Sequence, residues 1–329
     1  MKPPGRITLK KLAEILELDV SSVSLALRNS PKISAATKRR IHELARQYCY
    51  SPNMAARQLR CSSPRLVGLV LPAMMNSLAN PMAGRTIQVL AEKCTSMGIV
   101  FQILSAANLA GSPERAVSSM LPEAMFVWGD VPRMITEVPI LHKRPMIVLD
   151  PSHPSYAGYS GNHVSIDNFS GGTEIARHFI GLKAARFLLI GVEANHLGHV
   201  ARMKGAEREW LRQKPKTSLQ RRMITELDDD ALRKFAVGGS GAVFCANDHG
   251  ALQLWHRFKR LGVRMPEDVR LAGFDGEEAA LLAGITTVIF DWHKLAQTAW
   301  QKMLKLIQHA DDRPVSGLIP VALHKGRTS

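Results

Sequence analysis

Hydroxyl side chains are concentrated in one short segment near the N-terminus. Between Val20 and Arg28 the chain carries three serines: Ser21, Ser22 and Ser24. Serine hydroxyls and a guanidinium can hydrogen-bond to phosphate oxygens or to base edges, and apolar side chains such as Val20 or Leu25 can contact a thymine methyl group. If this segment forms a helix, its residue types favour contact with a DNA duplex.

Three short helices are predicted around this segment. Thr8 can cap a first helix with one apolar face, Asp19 can cap the helix Val20–Arg28, and Ser34 can cap a third. The apolar residues recur at helical spacing: Leu9, Leu12, Ala13 and Leu16, then Val23, Ala26 and Leu27, then Ile41, Leu44, Ala45 and Tyr48. This order predicts a helix-turn-helix whose second helix enters the major groove.

Positive charge is concentrated in the same part of the chain. The net charge is +15, and residues 1–65 carry 13 Lys/Arg against 4 Asp/Glu. The other 264 residues carry 30 basic and 24 acidic side chains. A basic head on a nearly neutral body is typical of a protein that binds a polyanion. Charge alone leaves open a solvated basic face without a partner.

The head is followed by a second helical signal. Ser51 before Pro52 is typical of an N-cap followed by proline at the first helical position. The helix from Pro52 to Arg60 is shorter than the ~12–15 residues that an isolated helix needs in water. We therefore expect it to be frayed in the free protein and ordered only when it docks.

The first 60 residues resemble the lac repressor/purine repressor (LacI-type) family. The residues that carry the likeness are Thr8-Leu9, Leu12-Ala13-Glu14, Val23-Ser24, Asn29-Ser30-Pro31-Lys32-Ile33-Ser34, Thr37, Tyr50-x-Pro52-Asn53 and Ala56-Arg57-x-Leu59. The resemblance implies that the second helix reads a half-site in the major groove. It also implies a hinge helix whose Leu59 wedges into the minor groove and kinks the duplex.

Motif and resemblance together give the expected DNA-contacting set: Thr8, Val20, Ser21, Ser22, Ser24, Leu25, Arg28, Asn53, Ala56, Arg57 and Leu59. Two positions depart from the family pattern. Glu17 stands at the turn where the family usually has glycine, and Leu25 stands where it often has arginine. The operator preference of relatives therefore does not transfer to this chain.

Beyond Ser62-Ser63-Pro64, strand-like segments alternate with helical ones. The expected strands are Val67–Leu71, Val100–Leu104, Met146–Leu149, Phe187–Val192, Ala242–Ala246 and Val269–Phe274. Helices are expected over Ala83–Ser96 and Gly171–Ile180. This alternation predicts parallel sheets, with ligands at the carboxyl ends of the strands.

The resemblance extends over nearly the whole chain. It rests on Val67-Gly68, Asn80-Pro81, Val164-x-Ile166-Asp167-Asn168, Gly171-Gly172, Arg202-x-x-Gly205, Ala246-Asn247-Asp248, Gly262-Val263-x-x-Pro266-Glu267-Asp268-Val269, Ala272-Gly273-Phe274-Asp275 and Thr286-Thr287-Val288. It implies a periplasmic-binding-protein-like core of two α/β lobes that binds an effector in its cleft and forms a dimer. The loop from Pro72 to Asn80 looks longer than in the family, Met82 replaces an aromatic residue, and Gly111–Ala124 looks shortened.

The expected domains are a helix-turn-helix over residues 1–50, a hinge helix and linker over 51–64, and a core over 65–329. Within the core, we expect the N-lobe to comprise about 65–163 and 291–319, and the C-lobe about 164–290 and 320–329. The fold class is thus an all-α head with a core of two parallel-sheet lobes.

Arg202, Asn247 and Asp275 match polar effector contacts of the family. We expect each to lie just after a strand, where a guanidinium, a carboxamide and a carboxylate can together bind vicinal hydroxyls or a carboxylate. Structural pairing of Arg202 with Asp275 is the alternative. By resemblance, Asp150, His196 and Trp292 are further pocket residues: Trp292 can stack on a sugar ring, whereas a lone histidine often has a structural role.

Other chemistry has no support in the sequence. Cys49, Cys61, Cys94 and Cys245 show no metal-ligand spacing, and no P-loop or Ser/His/Asp order is present. We expect reduced thiols and neither metal, cofactor nor enzymatic activity. The longest apolar runs are far shorter than the ~18 residues of a membrane span, and the first residues lack the apolar core of a secretion signal. These features indicate a cytoplasmic, nucleoid-associated protein without a membrane partner.

The sequence therefore predicts a DNA-binding transcription regulator. We expect a repressor, because repression is the commoner activity in the family that the chain resembles. Two-fold symmetry of a homodimer implies a pseudo-palindromic operator. We expect DNA binding to be controlled by a small-molecule effector, namely a sugar or sugar derivative. Because the N-lobe departs from the family pattern, a second hypothesis stays open. In it, a protein partner controls the regulator and the cleft is vestigial.

Overall fold

The computed structural model describes residues 9–27, 30–48, 64–72, 81–111, 122–137, 141, 144–214, 218–308 and 314–329. The chain divides into two compact units, Met1–Arg65 and Leu66–Ser329. The described residues of the first unit are helical, and the second unit holds both β-sheets.

Three helices form the head: α1 (Leu9–Leu16), α2 (Val20–Leu27) and α3 (Ala35–Gln47). Their small core consists of Leu12, Ala13, Leu16, Val23, Ala26, Ile41 and Ala45. The backbone N–H of Thr37 donates to the Ser34 hydroxyl, which caps α3 as the sequence predicted. Tyr48 was expected on the buried face of α3, but it lies at the C-cap and is 46% exposed. It stands past the last helical turn, so the helical spacing no longer directs it inward.

The turn between α1 and α2 forces a glutamate into a conformation that favours glycine. Glu17 has a φ of +54°. The N–H of Leu18 donates to Ala13 O and the N–H of Glu17 donates to Glu14 O, which is the Schellman pattern at a helix C-terminus. Glycine occupies this position most often because a Cβ costs free energy in the left-handed region. The departure at Glu17 therefore leaves strain in the head.

We expect Glu17→Gly to stabilise the head by about 1 kcal/mol, because it removes this strain. Amide hydrogen exchange over α1 and α2 in the full chain measures the effect. The exposed Glu14 lies within α1, so Glu14→Gly should destabilise the head by a similar amount. Faster exchange in the Glu17→Gly protein would contradict the prediction.

The first sheet of the core is entirely parallel and has the strand order β11-β5-β4-β3-β1-β2. Its strands are β1 (Leu66–Leu71), β2 (Val100–Ser105), β3 (Ala124–Trp128), β4 (Met146–Leu149), β5 (His163–Ile166) and β11 (Ser316–Ile319). This N-lobe also holds α4 (Pro81–Met97), α5 (Ala106–Gly111), α6 (Arg133–Thr136), a 3₁₀ turn (Pro154–Tyr156) and α12 (Trp292–Gln308).

The second sheet has the order β12-β10-β9-β8-β6-β7 and is parallel except for β12. Its strands are β6 (Arg186–Gly191), β7 (Ser218–Met223), β8 (Gly241–Cys245), β9 (Val269–Phe274), β10 (Thr286–Phe290) and β12 (Val321–His324). This C-lobe also holds α7 (Asn168–Gly181), α8 (Leu197–Gln213), α9 (Asp229–Ala236), α10 (Asp248–Arg260), α11 (Glu278–Ala283) and a 3₁₀ turn (Ile224–Glu226). The predicted core of two parallel-sheet lobes is confirmed.

The chain passes between the lobes after Ile166, after Phe290 and after Ile319. The first crossing was expected after His163, but β5 pairs with β11 along its whole length, from His163 to Ile166. The strand ends at Asp167 because that carboxylate accepts a hydrogen bond from the backbone N–H of Ser170 and caps α7. The last two crossings follow β10 and β11.

Two glycines bring α7 and α8 into close contact. A Cβ on Gly172 would overlap the carbonyl oxygen of Arg202, and a Cβ on Gly205 would overlap that of Phe169. The backbones therefore approach more closely than any other residue type would allow. This contact fixes where Arg202, on α8, stands relative to Asn168 at the start of α7.

Candidate functional site

A cavity of about 370 Å³ lies at the carboxyl ends of strands from both sheets. It is lined by Trp128, Asp130, Leu149, Asp150, Ser152, Ile166, Val192, Glu193, His196, His199, Arg202, Asn247, His249, Asp275, Glu277, Trp292 and Leu295. All six residues that the sequence predicted as effector contacts line this cavity, which we call the cleft. Parallel α/β sheets bind ligands at this end because several loops converge there.

Arg202 is the most heavily bonded side chain of the cleft. Its Nε donates to Asn168 Oδ1 and its Nη1 donates to Ala246 O, both at 2.8 Å. Nη1 also lies 2.8 Å from Asp275 Oδ1, and the guanidinium lies 3.8 Å from the centroid of the Phe274 ring. The predicted structural pairing of Arg202 with Asp275 is therefore present, and both side chains also form the cleft wall.

Arg202 was expected just after a strand, but it lies within α8, which begins at Leu197. A helix can deliver this long side chain to the strand ends because Gly172 and Gly205 let α8 pack directly on α7. Asn247 and Asp275 do follow β8 and β9 as expected.

Two neighbouring carboxyl groups have raised pKa values. Burial raises the pKa of Asp275 to about 7, against the lowering effect of Arg202 and with further raising by Asp248 and Glu277. Burial likewise raises the pKa of Asp248 to about 6, although its carboxylate accepts hydrogen bonds from the Thr287 hydroxyl and the Glu277 N–H. Perturbed carboxyl groups in a cleft are typical of ligand-binding sites.

The raised pKa of Asp275 predicts a pH-dependent stability. The folded protein keeps a proton that the unfolded chain loses near pH 4, so the contribution of Asp275 to stability falls as the pH rises from about 4 to about 7. From pH 5 to pH 8, the free energy of unfolding of the wild-type protein should fall by about 2 kcal/mol more than that of Asp275→Asn. Urea unfolding of both proteins at the two pH values measures this difference. Parallel pH profiles would contradict the assignment.

Asp150 links the cleft to the first crossing between the lobes. Its Oδ1 accepts hydrogen bonds from the backbone N–H of Ile166 at 3.0 Å and from the Asn168 amide at 3.5 Å. Burial raises the pKa of Asp150. The φ of Asp150 is +48° and that of Asp275 is +120°, so two cleft aspartates occupy strained backbone. Such strain clusters at ligand sites, because the surrounding bonds must hold it in place.

His196 connects the two lobes. Its Nδ1 accepts the N–H of His199 and caps α8, and its Nε2 lies 3.3 Å from Asp130 Oδ1 in the N-lobe. The rings of His196 and His199 stack with centroids 3.9 Å apart. Nearby, the N–H of Leu197 donates to Ser152 O at 2.7 Å, which also joins the lobes. His196 therefore has the structural role that the sequence left open, and it lines the cleft as well.

Asn247 and Trp292 each begin a helix at the cleft. Asn247 Oδ1 accepts the N–H of Gly250 and caps α10, so its amide N–H groups stay available to a ligand. The indole of Trp292 lies parallel to that of Trp128, with centroids 6.2 Å apart and planes 8° apart. Trp292 also packs on Phe290 at 4.3 Å between centroids. The two indoles give one wall of the cleft an aromatic face.

Sequence reasoning missed several cleft residues: Trp128, Asp130, Ser152, Glu193, His199, His249 and Glu277. Asp130 and Glu193 follow β3 and β6 closely, so the rule for parallel strands could have found them. Asn168 was missed as the residue that holds Arg202, because its role depends on the crossing of α7 and α8.

The head presents the α2 residues that were expected to contact DNA. Val20 is 43% exposed, Ser21 is exposed, and Ser22, Ser24 and Leu25 are half-buried. Val23 and Ala26 are buried on the opposite face. The other expected contacts, Thr8, Arg28, Asn53, Ala56, Arg57 and Leu59, lie outside the described residues. So do Pro52–Arg60 as a whole, the loop 73–80 and most of Gly111–Ala124.

The described residues offer neither a membrane span nor a metal site. No helix there is long and apolar enough to cross a bilayer. No group of three or more His, Cys, Asp or Glu there could hold a metal ion. Cys94 and Cys245 are buried free thiols, and burial raises the pKa of each to about 12.

Comparison with known proteins agrees with the fold. Residues 176–329 match the periplasmic binding protein-like domain. The transcriptional repressor PurR of Aliivibrio fischeri is 23% identical over 92% of this chain and 93% of its own. The probable repressor ExuR of Bacillus subtilis is 24% identical over 93% of each chain.

Solved structures show the same fold. The lac repressor dimer bound to operator and the anti-inducer ONPF has a TM-score of 0.70 at 19% identity, and the match covers 98% of this chain and 99% of that one. The CelR–cellobiose complex has a TM-score of 0.66 at 19% identity and covers 98% and 100% of the two chains. A LacI family regulator from Enterococcus faecium with bound ribose has a TM-score of 0.63 at 21% identity and covers 80% and 98%.

The fold and cleft thus define an effector-binding core of the periplasmic-binding-protein type, in a chain with a helical head. Over nearly its whole length the chain is similar to transcriptional repressors, and its fold is that of the lac repressor. The relatives found by sequence are transcriptional regulators and not enzymes.

Proposed function

We propose that this protein is a transcriptional repressor that binds a pseudo-palindromic operator as a homodimer and is gated by a sugar or sugar derivative. The observation that carries the effector part is the cleft, in which Asp150, His196, Arg202, Asn247, Asp275 and Trp292 line one cavity between two lobes. Donors, acceptors and an indole face together suit a polyhydroxylated ring. Relatives with cellobiose or ribose bound support this class of ligand.

The DNA-binding part rests on the head. Val20, Ser21, Ser22, Ser24 and Leu25 are at least partly accessible on α2, and the basic residues of the first 65 supply attraction to phosphate. Residues 1–50 serve as the reading head and residues 51–64 as the hinge, with Leu59 as the minor-groove wedge. The site of action is the nucleoid in the cytoplasm. Ligand-dependent closure of the cleft is the step that changes DNA affinity, and a coupling of about 1–3 kcal/mol already changes it roughly 5–150-fold.

Ser21→Ala and Ser22→Ala in one protein should weaken binding to the operator about tenfold or more, because hydroxyl contacts to bases or phosphates are lost. The operator is first selected from random duplexes at 0.15 M salt, and affinity is then measured by titration. Ser96→Ala, on the exposed end of α4, is the control and should leave affinity unchanged. A failure to select any palindrome would refute sequence-specific binding.

Thermal unfolding of the full chain in the presence of sugars tests whether a sugar or sugar derivative binds as the effector. A ligand at 100 times its Kd should add about 2.7 kcal/mol to the unfolding free energy and raise the Tm. The same ligand should change the operator affinity. If no sugar or sugar derivative stabilises the protein, the alternative of a regulator gated by a protein partner replaces this proposal.

A further inference from the structure

The described wall of the cleft has more acidic than basic side chains. It carries five carboxyl groups, those of Asp130, Asp150, Glu193, Asp275 and Glu277. Against them stands a single guanidinium, that of Arg202, together with three histidines. His199 is neutral at ordinary pH, because burial and the nearby positive groups lower its pKa to about 2. Because Asp275 pairs with Arg202, the described wall offers no further guanidinium or ammonium group to Asp130, Asp150, Glu193 and Glu277, and an anionic ligand would be disfavoured there.

Arg202 does not serve as a receptor for an anion. It already donates to Asn168 Oδ1 and Ala246 O, pairs with Asp275 Oδ1, and lies against the Phe274 ring. To bind a carboxylate or phosphate of a ligand, it would have to give up a buried partner, and that is costly.

Two cleft carboxylates have no bonding partner of their own. The side chains of Glu193 and Glu277 make no hydrogen bond and no ion pair with any described residue. Glu277 stands at the N-cap of α11, yet its side chain makes no capping bond. Burial raises the pKa of the half-buried Glu277, against the lowering effect of the nearby His249, and Glu193 is exposed to solvent. A cation would stabilise both carboxylates.

The aromatic wall suits the same kind of ligand. Trp128 and Trp292 are 8% and 9% exposed, and their parallel rings both line the cavity. Indole is the best side chain for attracting a cation to a ring face, and this attraction grows when water is excluded.

A buried polar atom at the cleft points to a hydrogen-bonding ligand. His199 is 5% exposed and lines the cavity, and its Nδ1 has no hydrogen-bond partner among the described residues. A buried nitrogen without a partner costs free energy unless a ligand supplies one. A neutral imidazole can accept from or donate to a hydroxyl, which suits a polyhydroxylated ligand body.

From this arrangement we propose that the effector is an amine-bearing polyhydroxylated molecule, such as an amino sugar, whose ammonium group is bound by Glu277 and Glu193 beside the indoles of Trp128 and Trp292. This rests on the proposed sugar-type effector and narrows it to a cationic member of that class. Uronic acids and sugar phosphates are excluded as effectors by the same charges.

The test uses matched series of probes on the full chain at pH 7. Each series contains a neutral sugar, its amino form and its uronic acid, for example glucose, glucosamine and glucuronate, and galactose, galactosamine and galacturonate. Titration calorimetry should show the amino form binding about tenfold or more tightly than the neutral form, with no detectable binding of the acid. Higher salt should weaken the amine and leave the neutral sugar unchanged.

Glu277→Gln is the deciding variant. It should abolish most of the preference for the amine, measured as the ratio of the affinities for the amino form and the neutral form. Glu278→Gln, one residue along in the exposed first turn of α11, is the matched control and should keep the full preference. If Glu277→Gln lowers the Tm of the free protein, Glu193→Gln at the exposed cleft carboxylate replaces it and should reduce the preference.

The outcomes separate the two proposals. Preference for a neutral or acidic member of any series, or an undiminished preference in the variants, overturns the amine assignment while a sugar-type effector stands. If no member of any series binds, the sugar-type effector fails and the amine assignment fails with it.

Discussion

Replacing Gly205 with alanine is expected to destabilise the core by about 3 kcal/mol, near the upper end of what a forced backbone shift costs. The new Cβ would overlap the backbone carbonyl of Phe169, which no rotamer change can relieve. Gly172→Ala should have a similar effect, because its Cβ would overlap the carbonyl of Arg202. Both changes push α7 and α8 apart, so effector affinity should fall together with stability.

Urea unfolding of the full chain measures this loss, and Gly181→Ala is the control. Gly181 is the last residue of α7, and a Cβ there would meet no atom within 4 Å. Alanine at Gly181 should therefore be neutral or stabilising by up to about 1 kcal/mol, because helical glycine loses more backbone entropy on folding. If all three substitutions had equal effects, close backbone contact would not explain the two glycines.

Arg202→Met should cost about 3–5 kcal/mol, because it removes the cation from a buried ion pair. It leaves the carboxylate of Asp275, Asn168 Oδ1 and Ala246 O without their shared donor. The loss should grow as the pH rises above about 7, because the wild-type Asp275 then ionises beside Arg202 whereas without Arg202 its carboxyl group must keep its proton.

A double-mutant cycle isolates the ion pair. Asp275→Leu in the Arg202→Met background should recover part of the lost stability, because no buried charge then remains. Arg208→Met, at an exposed position on the same helix, should change stability by less than about 1 kcal/mol. If the double variant is less stable than the wild type by the full sum of the two single losses, Arg202 and Asp275 act independently.

The sequence by itself determined the three helices of the head and half of the strands of the core, and its resemblance to a known family indicated the class of protein. Apolar spacing predicted α1, α2 and α3 and placed Leu12, Val23 and Ile41 in their core, because three short helices have few ways to bury so few apolar residues. Apolar runs between polar loops predicted three strands of each sheet, namely β1, β2 and β4 in one and β6, β8 and β9 in the other, and the strand–helix alternation implied that they are parallel. The fully buried β3 was not predicted. Asn247 and Asp275 were placed at strand ends for the same reason.

Only the tertiary structure decided how the cleft is assembled. Arg202 lies on a helix, and it reaches Asp275 and Asn168 because two glycines let α7 and α8 touch. The distance between these residues along the chain carries no information about this contact. The partnerless Glu277 and the neutral His199 likewise depend on burial, which appears only when both lobes close around the site. The local sequence pattern predicts secondary structure because neighbouring residues determine where helices and strands form. The charge balance in the cleft depends instead on residues that folding brings together from the whole core.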